Sequence, residues 1–510
     1  MDSLSGRNAI LLLVAVLVVV VWVVGTVVYR LFFHPLSGIP GPRLAAVTYL
    51  YEFYYDIYLS GQYNFKLKQL HEQYGPVVRL NPDEVHFNDP DYYDEIFNLT
   101  RTDKPYREAN AFGPYPATVS TVHHDIHRIR RGALNPFFSK RSVASLTPFI
   151  QDIIDKLCGR FETISKTGEK IDLKAAFSAL SMDIMSEYCF SKTPDRVLMS
   201  DFDKPYFASI DEFLDYSLVN WHLPWIMNSM LLIPESILCK IFPVMVLILD
   251  QRRAAKEQIL AIRSGENRAY EKSGHSTIFH TLLESDLPPQ EKDVDRLTHE
   301  AWSLLSAGSH TTALFLKTAA YHIQANQHVR TKLLEELRTV MPNRNDRPEL
   351  ADLERLPYLT AVVQEGLRMS NVVSHRLSRS FPNKTVTYGN HVVPAGTAIY
   401  LSSPLIHENE DIFPEPHVFK PERWLGGSKD DQQRLLKYLT PFSKGTRACL
   451  GINLAWAECY LILGTVFRRF EFDLSDVVRE RDVDITEDMI LAVVSRKSKG
   501  TIVKVSKMED

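Results

Sequence analysis

Pro441-Phe442-Ser443-Lys444-Gly445-Thr446-Arg447-Ala448-Cys449-Leu450-Gly451 is the stretch around which the rest of this sequence can be interpreted. A cysteine thiolate such as that of Cys449 is a strong metal ligand when nearby donors and positive charge keep it deprotonated. Gly445 and Gly451 permit sharp turns or close approach of the backbone to a flat cofactor. Arg447 can pair with an anionic group, and Phe442 supplies an apolar wall. The alternative for any single cysteine is a buried free thiol in an ordinary loop.

A second unusual stretch lies inside a long apolar segment. Leu297 to Gln324 is predicted to form a helix that crosses the whole domain, and it contains Ala307-Gly308-Ser309-His310-Thr311-Thr312. Small residues leave room beside a ligand, and threonine hydroxyls can bond back to backbone carbonyls. Taken alone, the fragment is better explained by another helix packing closely on Ala307 and Gly308.

Two further motifs combine acidic and basic residues. Glu365-Gly366-Leu367-Arg368 places a carboxylate and a guanidinium on one helix face, and Pro421-Glu422-Arg423-Trp424 follows downstream. An arginine buried in such an aromatic segment needs a carboxylate partner.

Composition excludes several classes of protein. The chain has 510 residues, 45% of them hydrophobic, and a net charge of −4, which gives no reason to expect a nucleic-acid partner. Its five cysteines lack paired spacing and indicate a reduced, intracellular protein. No linker divides the chain after residue 48, so we expect residues 49–510 to form one large domain.

The amino-terminal segment predicts a membrane anchor. Ala9 to Tyr29 contains no charged residue and would span roughly 30 Å as a helix, one bilayer core. A cleaved signal peptide is the alternative, but its apolar region is usually only about 7 to 15 residues long. Basic residues after the span favour a cytosolic main domain. We therefore assign residues 1–30 to an anchor and residues 31–48, rich in Pro and Gly, to a stiff hinge.

The pattern of the remaining chain predicts mainly α structure with small β-sheets. Pro76 to Asn88 alternates like two strands joined by a turn, and helical periodicity dominates from Phe137 to Val340. Strands return at Val386 to Tyr400, where Gly389-Asn390 and Pro394-Ala395-Gly396 are expected to be hairpin turns.

The order Phe-x-x-Gly-x-Arg-x-Cys-x-Gly resembles the haem-binding signature of the cytochrome P450 family. The other three motifs precede it in the chain, in the order that is typical of that family. The resemblance implies the P450 fold with an N-terminal transmembrane helix and a haem b cofactor. It makes Cys449 the axial ligand of the haem iron. The other positions that it implies around the haem are Phe442, Gly445, Arg447, Gly451, Ala307 and Gly308, with Thr311 beside dioxygen and Glu365, Arg368 and Arg423 in a buried ionic network.

The sequence departs from the family pattern at two places. His310 stands where an acidic residue is usual, which leaves three alternatives: His310 relays protons, Thr311 with Ser309 and water does so, or the enzyme follows another route. His127 replaces a tryptophan, and with Arg131 it is expected to contact the haem propionates; Arg379 is a further expected propionate ligand. Zinc binding by His123 and His127 is the alternative at that helix, but the glutamate of zinc-protease motifs is missing.

The resemblance also implies the reaction and its partners. It predicts a monooxygenase that uses NADPH indirectly, through a separate NADPH–cytochrome P450 reductase with cytochrome b5 as a second candidate donor, at the endoplasmic reticulum membrane. Arg128 and Arg130 could dock an acidic redox partner. Large apolar side chains predict a bulky hydrophobic substrate, and these are Phe112, Tyr115, Trp221, Trp225, Met227, Met230 and Leu304.

The finer subtype rests on the amino-terminal segment Tyr29 to Leu36 and on His127 to Ser139, which resemble fungal secondary-metabolism members of the trichodiene oxygenase type. A terpenoid or polyketide intermediate is therefore the expected substrate. The alternatives are a haem-thiolate isomerase, dehydratase or peroxygenase, or a haem-binding protein without turnover.

Overall fold

The structure, a computed structural model, describes residues 2–99, 101–113, 115–230 and 232–508. The predicted fold class is confirmed, since these residues are mainly helical with small sheets. The α-helices are α1 (Asp2–Val28), α2 (Arg43–Val47), α3 (Leu50–Phe53), α4 (Tyr63–Tyr74), α5 (Pro90–Phe97), α6 (Tyr106–Ala109), α7 (His124–Leu134), α8 (Lys140–Thr167), α9 (Leu173–Phe190), α10 (Lys204–Asp215), α11 (Ser217–His222), α12 (Pro224–Met230), α13 (Glu235–Ile241), α14 (Val244–Arg263), α15 (Tyr270–Ser273), α16 (Ile278–Glu284), α17 (Val294–Ala325), α18 (Gln327–Val340), α19 (Leu350–Glu354), α20 (Pro357–Ser370), α21 (Ser403–His407), α22 (Lys429–Tyr438), α23 (Ile452–Arg469) and α24 (Arg479–Asp482).

The strands are short and form four separate sheets. They are β1 (Val77–Arg79), β2 (Glu84–Phe87), β3 (Lys170–Asp172), β4 (Leu377–Ser380), β5 (Val386–Tyr388), β6 (His391–Val393), β7 (Ala398–Leu401), β8 (Phe470–Asp473), β9 (Ile485–Met489), β10 (Leu491–Val494) and β11 (Ile502–Lys507). The largest sheet has the order β1-β2-β7-β4, in which only the β2–β7 pair is parallel. The others are β3-β11-β8 and the hairpins β5–β6 and β9–β10.

One of the two predicted hairpin turns is wrong. Gly389-Asn390 joins β5 to β6, as expected, but β7 pairs with β2 and β4 and not with β6. All four residues of β7 are buried, so this strand needs a partner on each side, which only the central sheet provides. Pro394–Gly396 therefore turns the chain from one sheet into another, and the N–H of Gly396 donates to the carbonyl of Phe381 at 2.8 Å.

Helix α17 is the central element of the helical core. It begins where the Asp293 carboxylate accepts hydrogen bonds from the backbone N–H groups of Asp295 and Arg296, and it ends before Asn326, whose side chain caps α18. It packs against α9, α14, α20 and α23. Most of its positions are buried, so the few accessible ones mark places where the core opens.

The amino-terminal helix stands apart from this core. Ile10–Phe33 is long and apolar enough to cross a membrane, with a mean hydropathy of 3.2, and none of it is buried. The segment that follows is attached to the central sheet: Arg30 Nη1 donates to the Val47 carbonyl at 2.6 Å, and Arg79 Nη1 donates to the Arg30 carbonyl at 2.9 Å. The N–H of Arg79 also donates to the carbonyl of Pro40 at 2.8 Å.

We expect deletion of residues 2–28 to release the protein from microsomal membranes under alkaline carbonate extraction, whereas the full chain stays in the membrane pellet. The reason is that the deleted segment carries nearly all of the continuous apolar surface long enough to span a bilayer. Immunoblotting of pellet and supernatant measures the distribution. Extraction of the full chain by carbonate would contradict a membrane-spanning role for α1.

Candidate cofactor site

Cys449 lies between a short 3-10 turn, Gly445–Arg447, and the start of α23. Its backbone N–H donates to the carbonyl of Phe442 at 2.8 Å, which closes the intervening residues into a compact loop. Burial among protein atoms raises the pKa of its thiol, while the Gly451 N–H and the charge of Arg131 lower it. The side chain is nevertheless accessible, as expected for a group that faces internal space. A bound metal would favour the thiolate further.

The two glycines of this loop differ in whether the surrounding protein atoms require glycine at their positions. Gly445 has a φ of +73°, and a Cβ on it would lie 1.8 Å from the carbonyl oxygen of Phe97 at the end of α5. This glycine is therefore required by protein packing. Gly451 has an ordinary φ of −85°, and no heavy atom lies within 4 Å of the position of its Cβ. The contacts of the protein alone do not require glycine at 451.

Arg131 and Arg379 bind the cysteine loop itself, which the sequence analysis did not predict. Arg131 donates from Nη1 to the Ala448 carbonyl at 2.8 Å and from Nη2 to the Cys449 carbonyl at 3.3 Å. Arg379 donates from Nη2 to the Lys444 carbonyl at 3.0 Å. Both were expected to contact haem propionates. Their Nη groups hold the loop's backbone carbonyls, and the propionate contacts stay predictions. The Nε of Arg379 has no hydrogen-bond partner among the described residues.

Two partly buried cations, Arg447 and Lys104, and the neutral imidazole of His127 lie beside the loop. Arg447 donates to the carbonyls of Thr121 and Val122 at 2.5 and 2.8 Å, and burial together with the charge of Arg379 lowers its pKa to about 10. Burial lowers the pKa of His127 to about 3, and Arg447 adds to this effect. Burial also lowers the pKa of Lys104, although Glu108 opposes it. Such a cluster favours an anionic ligand.

Unpaired donors in this cluster fit the same ligand. Within the described part of the chain, the Nε atoms of Arg379 and Arg447 and the hydroxyl of Thr446 are buried without a hydrogen-bond partner. Buried polar groups of this kind are costly unless something satisfies them. A cofactor that carries carboxylates beside an iron ligand would satisfy them and would neutralise the cluster, so the residues present fit a haem.

The middle of α17 is a second place where side chains of the core are accessible. Ala307 is exposed, although most of this helix is buried, so the core opens at this point. Thr311 is partly accessible, and its hydroxyl donates to the Ala307 carbonyl at 2.7 Å. Helix α17 packs against α23, which begins three residues after Cys449. The accessible residues therefore belong to adjoining elements.

Gly308 packs closely against a neighbouring helix, and its expected contact with the cofactor stays a prediction. A Cβ at this position would lie 2.6 Å from Cγ and 2.8 Å from Sδ of Met185 on α9. The missing side chain is therefore needed for the close packing of α17 on α9. The packing explanation is right for Gly308, whereas Ala307 opens onto internal space.

His310 lies about one helical turn from Ala307 and lines a different space. It is buried, and its Nε2 lies 3.5 Å from Oδ1 of Asp211 on α10. Burial lowers its pKa to about 4; Lys174 and Lys317 add to this effect, whereas Asp211 opposes it. The imidazole is consequently neutral at physiological pH. It lines a charged cavity of about 310 Å³ on the side of α17 that faces α9 and α10.

Glu365, Arg368 and Arg423 come together as a buried ionic network. Glu365 accepts from Arg368 Nη2 at 2.8 Å and from Arg423 Nε at 3.0 Å, and Trp424 donates its indole N–H to the same carboxylate at 3.0 Å. Arg368 also donates to the His407 carbonyl at 2.9 Å. The N–H of Thr440 donates to His407 Nε2 at 3.0 Å, which brings the network to the start of the cysteine loop.

One buried acid near the site was missed by the sequence analysis. Glu458 on α23 is 1% exposed and accepts from the Ser181 hydroxyl at 3.2 Å. Burial raises its pKa to about 8, so the neutral acid predominates at pH 7; hydrogen bonds from Ser181 and Thr312 oppose the shift. The signal available in the sequence was a glutamate inside an otherwise apolar run.

Two residues predicted to line a substrate pocket lie elsewhere. Trp221 donates its indole N–H to Glu52 at 3.1 Å and belongs to a buried cluster in which Arg107 and Arg376 also bind that carboxylate. Trp225 is 63% exposed. By contrast, two predicted residues pack together in one apolar cluster, whose members are Tyr115, Phe213, Met227, Leu238, Val244, Met245, Ile248, Leu249 and Trp302.

Comparison with known proteins gives one consistent answer. A family model described as Cytochrome P450 matches residues 40–505. The chain is 39% identical to cytochrome P450 monooxygenase MO6277 of Ascocoryne sarcoides, covering 93% of this chain and 95% of that protein. It is 37% identical to cytochrome P450 monooxygenase TRI4 of Trichoderma arundinaceum over 91% of this chain and 89% of that protein. It is 36% identical to N-acetyltryptophan 6-hydroxylase ivoC of Emericella nidulans, with 94% of each chain covered.

We expect Arg368→Ala to lower the free energy of unfolding by about 3–5 kcal/mol, the usual effect of removing one partner of a buried ion pair. Urea titration followed by tryptophan fluorescence measures the change. The matched control is Arg355→Ala, because the exposed Arg355 pairs with Asp352 at the same i, i+3 spacing. Its loss should cost about 0–1 kcal/mol. Equal effects of the two substitutions would contradict a special role for the Glu365 network.

Proposed function

The chain belongs to the cytochrome P450 family of monooxygenases, and we propose that it inserts one oxygen atom from O2 into a bulky hydrophobic secondary metabolite. A terpenoid or polyketide intermediate is the proposed substrate class. Residues 49–510 would form the catalytic domain, anchored to the endoplasmic reticulum by residues 1–30 and facing the cytosol. The observation that carries the proposal is the accessible thiol of Cys449 beside buried, partly unpaired cations.

Different residues would hold different parts of a haem. Cys449 would ligate the iron, and its loop is held by Arg131 and Arg379 through backbone carbonyls. Arg447 and Lys104 would supply positive charge for the two propionates, and the neutral His127 would offer them a ring N–H donor. A haem with a thiolate ligand provides an iron centre at which dioxygen is cleaved, one atom entering the substrate and the other leaving as water. Thr311 offers a hydroxyl from α17.

The surroundings support an apolar substrate. Tyr115, Met227 and Trp302 pack in one apolar cluster contributed by several separate elements. Sites of this kind bind ligands mainly by burying apolar surface, with a few polar groups that fix orientation. The fungal relatives named as monooxygenases and a hydroxylase support oxygen insertion into a small organic molecule.

The electrons are proposed to come from outside the chain. Its sequence has no flavin or nicotinamide fingerprint, so an NADPH–cytochrome P450 reductase is the proposed donor, with cytochrome b5 as a second donor. Arg128 on α7 is exposed and available to an acidic partner. Arg130 is less suited, because its Nε binds Glu291 at 2.8 Å.

A second candidate function is a haem-thiolate isomerase, dehydratase or peroxygenase. The observation that favours it is the neutral His310 at the position of the family's usual acid. Such enzymes do not require NADPH-derived electrons, so dependence on NADPH and reductase distinguishes the two functions.

We expect the dithionite-reduced protein to give the carbon-monoxide difference band of a thiolate-ligated haem, and Cys449→Ala to abolish it. Cys459→Ala is the matched control, because this cysteine is buried on α23 and should leave the band unchanged. A wild-type protein with bound haem and no such band would overturn the ligation.

The purified haem-containing protein, without dithionite or carbon monoxide, then tests the reaction class. With reductase and NADPH, a panel of terpenoid and polyketide compounds should yield a product that carries one oxygen atom from ¹⁸O₂. Turnover that proceeds without NADPH and without labelled oxygen would instead establish the second candidate function.

A further inference from the structure

The two neighbouring residues His310 and Thr311 point in different directions from α17. Consecutive helical residues point about 100° apart, and here Thr311 is partly accessible while His310 reaches the charged cavity beside α9 and α10. His310 and Thr311 therefore place two polar side chains at adjacent positions of α17, one lining the charged cavity and one bonded to Ala307 at the opening.

The cavity is built to hold charge. Its lining includes Asp172, Lys174, Lys204, Asp211, Asp215, Lys317, Asp482, Arg496 and Lys499, together with His310. Its volume of about 310 Å³ is enough for several water molecules. The carboxylate of Asp211 is 44% exposed, so it connects this space with solvent.

Asp211 lies at the inner end of a short polar chain. Lys174 Nζ donates to both of its carboxylate oxygens at 2.6 Å. Oδ1 of the same carboxylate lies 3.5 Å from His310 Nε2, close enough for a direct contact or one water-mediated step. On the far side of the ring, Nδ1 is buried without a partner among the residues described here. The imidazole thus has one nitrogen towards the solvent-linked acid and one nitrogen free.

We infer that Asp211 on α10 supplies the carboxylate that α17 lacks, and that His310 conducts its proton across the helix toward Thr311. This inference rests on the proposed monooxygenase function. The step moves one proton and no electrons. The Asp211 carboxylate takes a proton from solvent through water in the charged cavity and passes it to Nε2 of His310, and Nδ1 releases the proton that it carries. Asp211 is a positioning residue in this scheme, because it acts through His310.

The charges around His310 set the direction of two measurable shifts. Asp211 raises the pKa of His310, whereas Lys174 and Lys317 lower it. Asp211→Asn should therefore lower the pKa of His310 further below 6.5, and Lys174→Met should raise it toward 6.5. NMR of histidine-labelled protein in the diamagnetic ferrous carbon-monoxide form measures both, with His310→Gln to assign the signal. An Asp211→Asn protein with an unchanged His310 pKa would overturn the inference.

The kinetic arm uses the reconstituted reductase and NADPH without added substrate. We expect Asp211→Asn to lower the rate of NADPH-dependent reduction of dioxygen to water by about tenfold. The amount of hydrogen peroxide formed per NADPH oxidised should rise. The expected decrease in rate is less than the roughly hundredfold effect of losing a general acid itself, because cavity water can substitute in part. Glu212→Gln, which removes an exposed carboxylate from the next position on α10, is the matched control.

A rescue variant separates proton supply from mere stability. Asp211→Asn with His310→Asp restores a carboxylate to α17 and should recover most of the lost rate, whereas a structural defect at Asp211 would not be repaired. No recovery in a variant with a normal carbon-monoxide band would overturn the inference. A wild-type protein that accepts no electrons from NADPH would instead disprove the proposed function, and the His310 titration would still test the Asp211 contact.

Discussion

The buried carboxylate of Glu365 is the interaction on which the position of the cysteine loop depends. A charge that is fully removed from water must be neutralised and hydrogen-bonded nearby, and Glu365 meets this condition by binding Arg368, Arg423 and the indole of Trp424. These partners come from two segments far apart in the chain. The requirement for neutrality therefore fixes α20 against the segment that precedes the loop, and Thr440 is aligned through His407.

The loop itself is positioned mainly through its backbone. Arg131 and Arg379 approach from α7 and β4 and bind its carbonyl groups, so the carbonyls are occupied by positive charge. The N–H of Gly451 is left to face the sulfur, where it favours the thiolate. The charge of Arg131 and the direction of the Gly451 N–H thus both act on the sulfur of Cys449. Gly445 has a separate role, because only glycine allows the loop to approach Phe97.

Spacing along the chain was enough to predict the fold class, the long helix α17 and which residues carry the family's motifs. It was not enough to say what each side chain meets. Gly308 was expected beside the cofactor because it belongs to the family's motif, but the sequence did not show that Met185 of another helix fills the space where its Cβ would lie. The contact between Asp211 and His310 could not be predicted for the same reason, since no sequence pattern near His310 indicates a partner on α10. Such contacts are decided by how helices are placed around one another.

The Arg30 and Arg79 contacts have a mechanical consequence for the proposed membrane anchoring through α1. Arg30 donates to the Val47 carbonyl, and Arg79 of β1 donates to the Arg30 carbonyl. These bonds fasten both ends of the Pro- and Gly-rich segment and leave it little freedom to bend. Helices adapt to bilayers of different thickness by changing their tilt. Here a change of tilt would be transmitted to the whole domain as a rigid body, so lipid composition would set the angle at which the protein faces the membrane surface.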